Sequence, residues 1–385
     1  MPPVHVLIKP VSASCNMRCS YCFYNDVTAH RTTPCAGVLS FDTLEQIIAK
    51  AMAYADYICT FAFQGGEPTL VGLDFYRQVL AFEDKYHKQG VKVFHAIQTN
   101  GYALDEKWAE FLSRHHFLVG LSLDGPAALH DQNRKTQTGA GTFNRVMKTV
   151  QLFKKYKVEY NVLSVVTGKN AQSVQRIYQF FKKQDFRWIQ FLPCLEPLSQ
   201  RRGLAQYALS PRQYGEFLVR IFDLWYRDLL DGQYYSIRHL DNYLSILLGH
   251  KPEACSMNGR CSVQFMIEAD GSVYPCDFYG LDNWKIGSVL ENTFSEMAAS
   301  ETATAFLKIS EHVPQQCQAC PYYALCRNGC RRERLESGGV PELNYYCNAY
   351  QFFFSQRLSG LMEAAERILT RSAAMPSIEA AIQAE

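Results

Sequence analysis

Three cysteines set the chemical question. Cys15, Cys19 and Cys22 are separated by three and then two residues, directly after the apolar run Val4–Lys9. A loop of that length can wrap its thiolates around one iron–sulfur cube and leave one iron without a protein ligand. Such an open position distinguishes a catalytic metal centre from a closed structural one. A three-cysteine zinc site or a set of redox thiols is the alternative for the motif alone. Eight further cysteines follow: Cys255, Cys261, Cys276, Cys317, Cys320, Cys326, Cys330 and Cys347. They suffice for two complete four-thiolate sets, and Cys-x2-Cys pairs suit zinc as well as iron–sulfur clusters. Cys35, Cys59 and Cys194 have no partners by spacing and read as buried or incidental.

Composition narrows the setting. The chain has 385 residues, 48% hydrophobic and 20% charged, which fits a folded globular protein. A formal charge of +2 gives no footprint for nucleic acid. No run approaches the ~18–20 apolar residues that span a bilayer, and Met1-Pro2-Pro3 leads straight into the first strand-like run. No membrane association and a cytoplasmic location are therefore expected. In that compartment the short-spaced clustering of most of the 14 cysteines suits metal ligation better than disulfides.

Elements must hold these residues in place. Strand-like runs occur at Val4–Lys9, Thr60–Gln64, Lys92–Gln98, Leu118–Leu123, Glu159–Val166 and Trp188–Leu192. Helical periods fall between them at Asp42–Tyr54, Leu73–Tyr86, Asp105–Arg114, Phe143–Tyr156 and Ala171–Lys183, with Ser40 and Asp105 as caps. The alternation predicts a parallel sheet of about six βα units. Periodicity leaves a doubly wound sheet and an incomplete barrel equally open. Gln64-Gly65-Gly66-Glu67-Pro68, Gln98-Thr99-Asn100-Gly101 and Ser122-Leu123-Asp124-Gly125-Pro126 each close a strand. The carboxyl ends of parallel strands are where such folds place their sites. Aromatic helical segments, Tyr214–Leu230 and Leu240–Leu248, bridge to the cysteine-rich region. A helix over Gln351–Leu369 and a peripheral alanine-rich tail, Ser372–Glu385, end the chain.

The CxxxCxxC motif, with aromatic Tyr21 before its third cysteine, resembles the radical S-adenosylmethionine (SAM) superfamily. The resemblance implies a partial (β/α)6 TIM-like barrel and a [4Fe–4S] cluster on Cys15, Cys19 and Cys22. SAM would bind the open iron and give a 5′-deoxyadenosyl radical. It further implies that Gln64, Gly65, Gly66 and Glu67 form the segment at the methionine amino group. Tyr21 belongs to the cofactor-binding loop, Ser122 would contact the ribose, Arg134 the SAM carboxylate, and Leu195 the adenine region. The C-terminal cysteines resemble a small iron–sulfur SPASM domain with two auxiliary [4Fe–4S] clusters. By that resemblance Cys255, Cys261, Cys276 and Cys330 hold one, and Cys317, Cys320, Cys326 and Cys347 the other. The expected divisions are 1–235 for the barrel with its bridging helices, 236–350 for SPASM, and 351–385 for the helix and tail.

Ile8-Lys9-Pro10, Cys22-Phe23-Tyr24, Phe63–Leu70, Tyr274–Tyr279 and Asn344-Tyr345-Tyr346-Cys347 are similar to anaerobic sulfatase-maturating enzymes. That implies oxidation of a sulfatase cysteine or serine to Cα-formylglycine, with Asp277 as the base and a second electron leaving toward the auxiliary clusters. The expected partners are an extended or unfolded sulfatase peptide and an external one-electron reductant of flavodoxin or ferredoxin type. Tyr24 and the aromatics around Tyr274–Tyr279 would line the peptide cavity. Two alternatives stay open: a SPASM enzyme that cross-links or epimerises a ribosomally made peptide, and a zinc-bearing scaffold or binding protein.

Overall fold

The structure, a computed structural model, describes residues 3–337 and 340–374. All six expected strands are present: β1 (Val4–Ile8), β2 (Ile58–Phe63), β3 (Lys92–Thr99), β4 (Leu118–Ser122), β5 (Tyr160–Val166) and β6 (Trp188–Pro193). They pair in parallel and lie side by side in chain order. A doubly wound sheet reverses its strand order at a switch point, and here there is none. The winding is that of a barrel, and β1 and β6 do not pair with each other.

What flanks those two strands was not foreseen from periodicity. β7 (Ser236–Ile237) adds in parallel to β6. On the other side β8 (Met266–Ile267) adds in parallel to β1, with Leu7 opposite Met266 and Ile8 opposite Ile267. β9 (Ser272–Tyr274) and β10 (Gly287–Ser288) continue antiparallel. One ten-stranded sheet therefore runs through the expected division at 235/236 and into the cysteine-rich region. These added strands are two or three residues long, too short to carry a period of their own.

The crossover helices follow their sequence signals. Phe41–Tyr54 starts at Ser40, whose side chain accepts from the Thr43 amide, and it buries Leu44, Ile47, Ile48 and Ala51 on one face. Asp105 caps Glu106–Arg114 by accepting from the Trp108 amide. The single helix expected over Ala171–Lys183 is instead two, Gly168–Gln172 and Val174–Lys183. Thr167 caps the first by accepting from the Asn170 amide, and the chain turns at Ser173. Short helices at Phe23–Ala29 and Ala127–Asn133 are additions to the sequence reading.

The long final helix, Cys347–Ala374, packs along Pro211–Leu230. Glycines allow the contact: a Cβ on Gly215 would lie 3.2 Å from the Ala349 Cα, and one on Gly360 would lie 3.0 Å from the Phe222 ring. Pro211–Leu230 begins with a capping box between Ser210 and Gln213. The expected tail, 372–385, falls mostly outside the described residues. Among those described, no helix is long and apolar enough to cross a membrane.

Candidate active site at the carboxyl ends of the strands

The loop after β2 is built on two glycines. Gly65 has φ +85° and Gly66 φ +48°, both left-handed. A Cβ on Gly66 would run into the Ser14 carbonyl, and one on Gly65 would sit 2.6 Å from the Lys9 Cγ. The loop thus lies directly against the segment that leads into Cys15, and the Glu67 amide donates to the Ser14 carbonyl at 2.8 Å. The Glu67 carboxylate is buried and fully engaged. It accepts from the Thr69 amide (3.2 Å) and hydroxyl (2.6 Å), the Thr99 hydroxyl (2.7 Å) and the Asn100 amide (2.8 Å). Burial pushes its pKa up while these donors pull it down. Its side chain therefore ties the ends of β2 and β3 together.

Cys15, Cys19 and Cys22 lie within electrostatic range of one another, with no disulfide between them. Burial raises the Cys15 thiol to about 12 and the Cys19 thiol to about 11, and crowding by neighbouring thiols adds to both. Bringing such thiols together as thiolates needs a cationic centre. Asn100, at the end of β3, points its amide nitrogen toward the Cys15 sulfur (3.8 Å) and donates to Asn16 Oδ1 at 2.8 Å.

Arg134 and Tyr21 meet beside this triad. The Tyr21 hydroxyl donates to Asp124 Oδ2, and Arg134 Nε lies 3.1 Å from the same oxygen. The guanidinium sits over the Tyr21 ring, 5.4 Å from its centroid. Burial works against the Arg134 charge, and Asp124, Tyr21 and Cys19 together outweigh it. Asp124 is itself locked, since Oδ1 accepts from the Val165 amide at 3.0 Å. Ser122, two residues earlier at the end of β4, accepts from Gln98 Nε2 at 3.1 Å. Leu195 is half-buried in the segment after β6, next to Glu196, whose carboxylate accepts from the Gly203 and Ala205 amides. That loop returns over the triad, with the Tyr207 ring 6.3 Å from the Tyr21 ring.

The cysteine-rich region contributes the opposite wall. Asp277 is buried, and its Oδ2 accepts from the Tyr24 hydroxyl at 2.6 Å and from Gln64 Nε2 at 2.5 Å. Tyr24 follows Cys22 by two residues and Gln64 precedes the two glycines, so three distant segments converge here. Burial and then the adjacent carboxylate hold the Tyr24 phenol well above its usual pKa, so it donates. Phe23 packs edge-on to Phe278, with centroids 4.9 Å apart.

The other eight thiols sort by proximity. Cys276 lies in electrostatic range of Cys255 and Cys261, and Cys330 in range of Cys255 and Cys276. Cys326 is in range of Cys317, Cys320 and Cys347, and those four line one cavity with Tyr322, Tyr323 and Tyr350. A zinc ion would draw sulfurs to roughly 4 Å apart. Among the described residues no three His, Cys, Asp or Glu side chains gather tightly enough for one ion. Eight thiolate donors in two groups of four suit iron–sulfur clusters. Of the isolated cysteines, Cys59 and Cys194 are buried, and Cys35 is exposed with its sulfur 3.8 Å from the Ser14 hydroxyl.

Sequence reasoning placed Lys9, Asn100 and Asp124 in motifs without giving them roles, and passed over Arg31 and Glu268. Lys9 carried a signal: a lysine directly after the apolar Val6-Leu7-Ile8 that ends the first strand. Arg31 and Glu268 carried none: the β1–β8 pairing brings Glu268 beside Lys9, and Arg31 reaches Glu268 from just past the helix Phe23–Ala29.

Comparison with known proteins agrees with this architecture. Residues 10–181 match the radical SAM superfamily, and residues 255–321 match SPASM, an iron–sulfur cluster-binding domain. The chain is 46% identical over 373 residues to a cysteine-type anaerobic sulfatase-maturating enzyme of Clostridium novyi (strain NT), covering 96% of this chain and all of that one. It is 32% identical to a serine-type enzyme of Bacteroides thetaiotaomicron, covering 99% of this chain and 95% of that one. The solved structure of native anSMEcpe with bound AdoMet and Cp18Cys peptide superimposes with a TM-score of 0.91 at 44% identity, covering 95% and 100% of the two chains.

Proposed function

The chain belongs to the anaerobic sulfatase-maturating enzymes of the radical SAM superfamily, and from that premise we propose that it oxidises a cysteine of an extended sulfatase peptide to Cα-formylglycine. It is a radical SAM oxidoreductase whose cofactors are SAM and three [4Fe–4S] clusters. The observation that carries the reading is the Tyr24–Asp277 hydrogen bond. It joins the triad loop to a carboxylate of the cysteine-rich region, so radical generation and proton removal face one space. Cysteine is preferred over serine as substrate because relatives at 43–46% identity are cysteine-type, against 31–32% for serine-type ones.

In this reading Cys15, Cys19 and Cys22 would hold the radical-generating [4Fe–4S] cluster. Gln64, Gly65, Gly66 and Glu67 supply the segment at the methionine end of SAM. Tyr21, Ser122, Arg134 and Leu195 complete its surroundings. Arg134 keeps its charge through Asp124, which suits a carboxylate ligand. Cys255, Cys261, Cys276 and Cys330 hold one auxiliary cluster, and Cys317, Cys320, Cys326 and Cys347 the other. When bound, SAM and the clusters supply a 5′-deoxyadenosyl radical that takes one Cβ hydrogen and a route for the second electron. Asp277 takes the thiol proton. Loss of one hydrogen atom, one proton and one electron leaves a thioaldehyde, which water converts to the aldehyde and hydrogen sulfide. Residues 1–235 then serve radical generation and 236–350 serve proton and electron removal, with 351–385 closing the chain. An external flavodoxin- or ferredoxin-type protein supplies the starting electron.

The test incubates reduced enzyme, SAM and matched sulfatase-motif peptides bearing cysteine or serine, and follows peptide mass. Aldehyde formation, faster on cysteine, is expected. Deoxyadenosine without any peptide change would overturn the assignment.

A further inference from the structure

Behind Asp277 lies a charged network that the reaction described above does not use. Lys9 closes β1 and is buried. Its ammonium stands 3.2 Å from Glu268 Oε1, 3.4 Å from Asp277 Oδ1 and 4.6 Å from the centroid of the Tyr24 ring. Glu268 is held from its far side by Arg31 Nη1 at 2.5 Å, and Arg31 Nε donates to the Gly280 carbonyl. The four groups are two cations and two carboxylates, all buried. A buried ammonium persists only when paired, and a buried carboxylate likewise.

The division of contacts on Asp277 is informative. Tyr24 and Gln64 both donate to Oδ2. Oδ1 makes no hydrogen bond within the described residues and faces the Lys9 ammonium. Lys9 reaches that place only because Gly65 has no side chain: a Cβ there would meet the lysine stem at Cγ and Cδ, 2.6 and 2.7 Å away. Lys9 after the first strand and Gln64 before the two glycines thus meet at one carboxylate, and Glu268 of the β8 segment pairs with Lys9.

We propose that Lys9 is a positioning residue for peptide oxidation, its ammonium fixing the Asp277 carboxylate between Glu268 and the substrate space. The inference rests on the reading of Asp277 as the base. Lys9 touches neither peptide nor SAM in this scheme. It sets where the accepting oxygen stands, and small misplacements of a reacting group are costly.

The test uses the full chain carrying its clusters, with SAM, dithionite and a cysteine sulfatase-motif peptide. The readout is aldehyde formed per 5′-deoxyadenosine released. Lys9→Met is expected to keep its iron and its deoxyadenosine formation while that ratio falls about tenfold or more. The peptide KM should move little and kcat should carry the loss. A wild-type ratio in cluster-loaded Lys9→Met overturns the proposal. Lys9→Met/Glu268→Gln restores the charge balance should the single variant fold poorly. A ratio that stays low supports positioning, and a restored ratio assigns Lys9 to charge balance alone and overturns it. If neither variant keeps its clusters, Lys9 holds the fold and the proposal fails. Asp277→Asn run in parallel separates the two readings. Full oxidation by it removes the base assignment, whereas its failure beside a normally coupled Lys9→Met removes only the Lys9 inference.

Discussion

Asp277 and Gly66 carry opposite kinds of constraint. Asp277 is held by chemistry: two donors on one oxygen and an ammonium near the other. Replacing it with asparagine keeps the shape and removes the proton acceptor. Deoxyadenosine formation should continue while aldehyde falls by about two orders of magnitude or more, read by mass spectrometry of peptide and nucleoside together. Gly66 is held by geometry, with φ +48° and the Ser14 carbonyl where a Cβ would go. Gly66→Ala should push the glycine loop off the triad loop. SAM cleavage should drop at least about tenfold. Iron should settle near about eight rather than about twelve per chain if the two C-terminal clusters stay filled.

At the scale of elements, helix contacts and buried histidine set stability. Gly215 lets Pro211–Leu230 approach Cys347–Ala374, whose first residue is a proposed cluster ligand. Gly215→Val should cost about 1–3 kcal/mol by overpacking, seen as a lower unfolding midpoint, and should loosen the cluster held by Cys347. His130 lies in the helix Ala127–Asn133, its Nδ1 accepting from the Asp124 amide and its Nε2 3.0 Å from the Thr142 hydroxyl. Burial lowers its pKa to about 4, so it is neutral when folded. An unfolded histidine titrates near ~6.5, so the unfolded chain takes up the proton first as pH falls. Stability is therefore complete above ~6.5 and erodes between there and about 4. At pH 5.5 the loss should be about 1 kcal/mol, and His130→Gln should flatten that part of the stability–pH curve.

Across the whole molecule, the thiols are shared between distant segments. Cys330 lies with Cys255 and Cys276, not with its sequence neighbour Cys326. Cys276→Ala and Cys330→Ala should thus leave the same residual iron spectrum, and Cys347→Ala a different one. Three matching spectra would dissolve the grouping. The β1–β8 pairing has a similar reach. A chain ended before Cys255 would bare the edge of β1 at Leu7 and Ile8, and should yield little soluble protein.

Sequence by itself determined the local chemistry here. Thiol spacing in Cys15–Cys22, the glycines of Gln64–Pro68 and the strand–helix alternation are short-range features, legible because turns, caps and periodicity act over a few residues. It did not determine how the sheet winds, since either topology accepts the same alternation. Tertiary structure decided that the strands keep chain order, that strands of two or three residues from the cysteine-rich region continue the sheet beside β1, and that Cys330 leaves its neighbours. It also decided that Lys9, Tyr24, Gln64, Glu268 and Asp277 form one cluster. The physical reason is range: buried charges select partners by proximity in space, and those partners lie up to 268 positions along the chain from Lys9's end of β1.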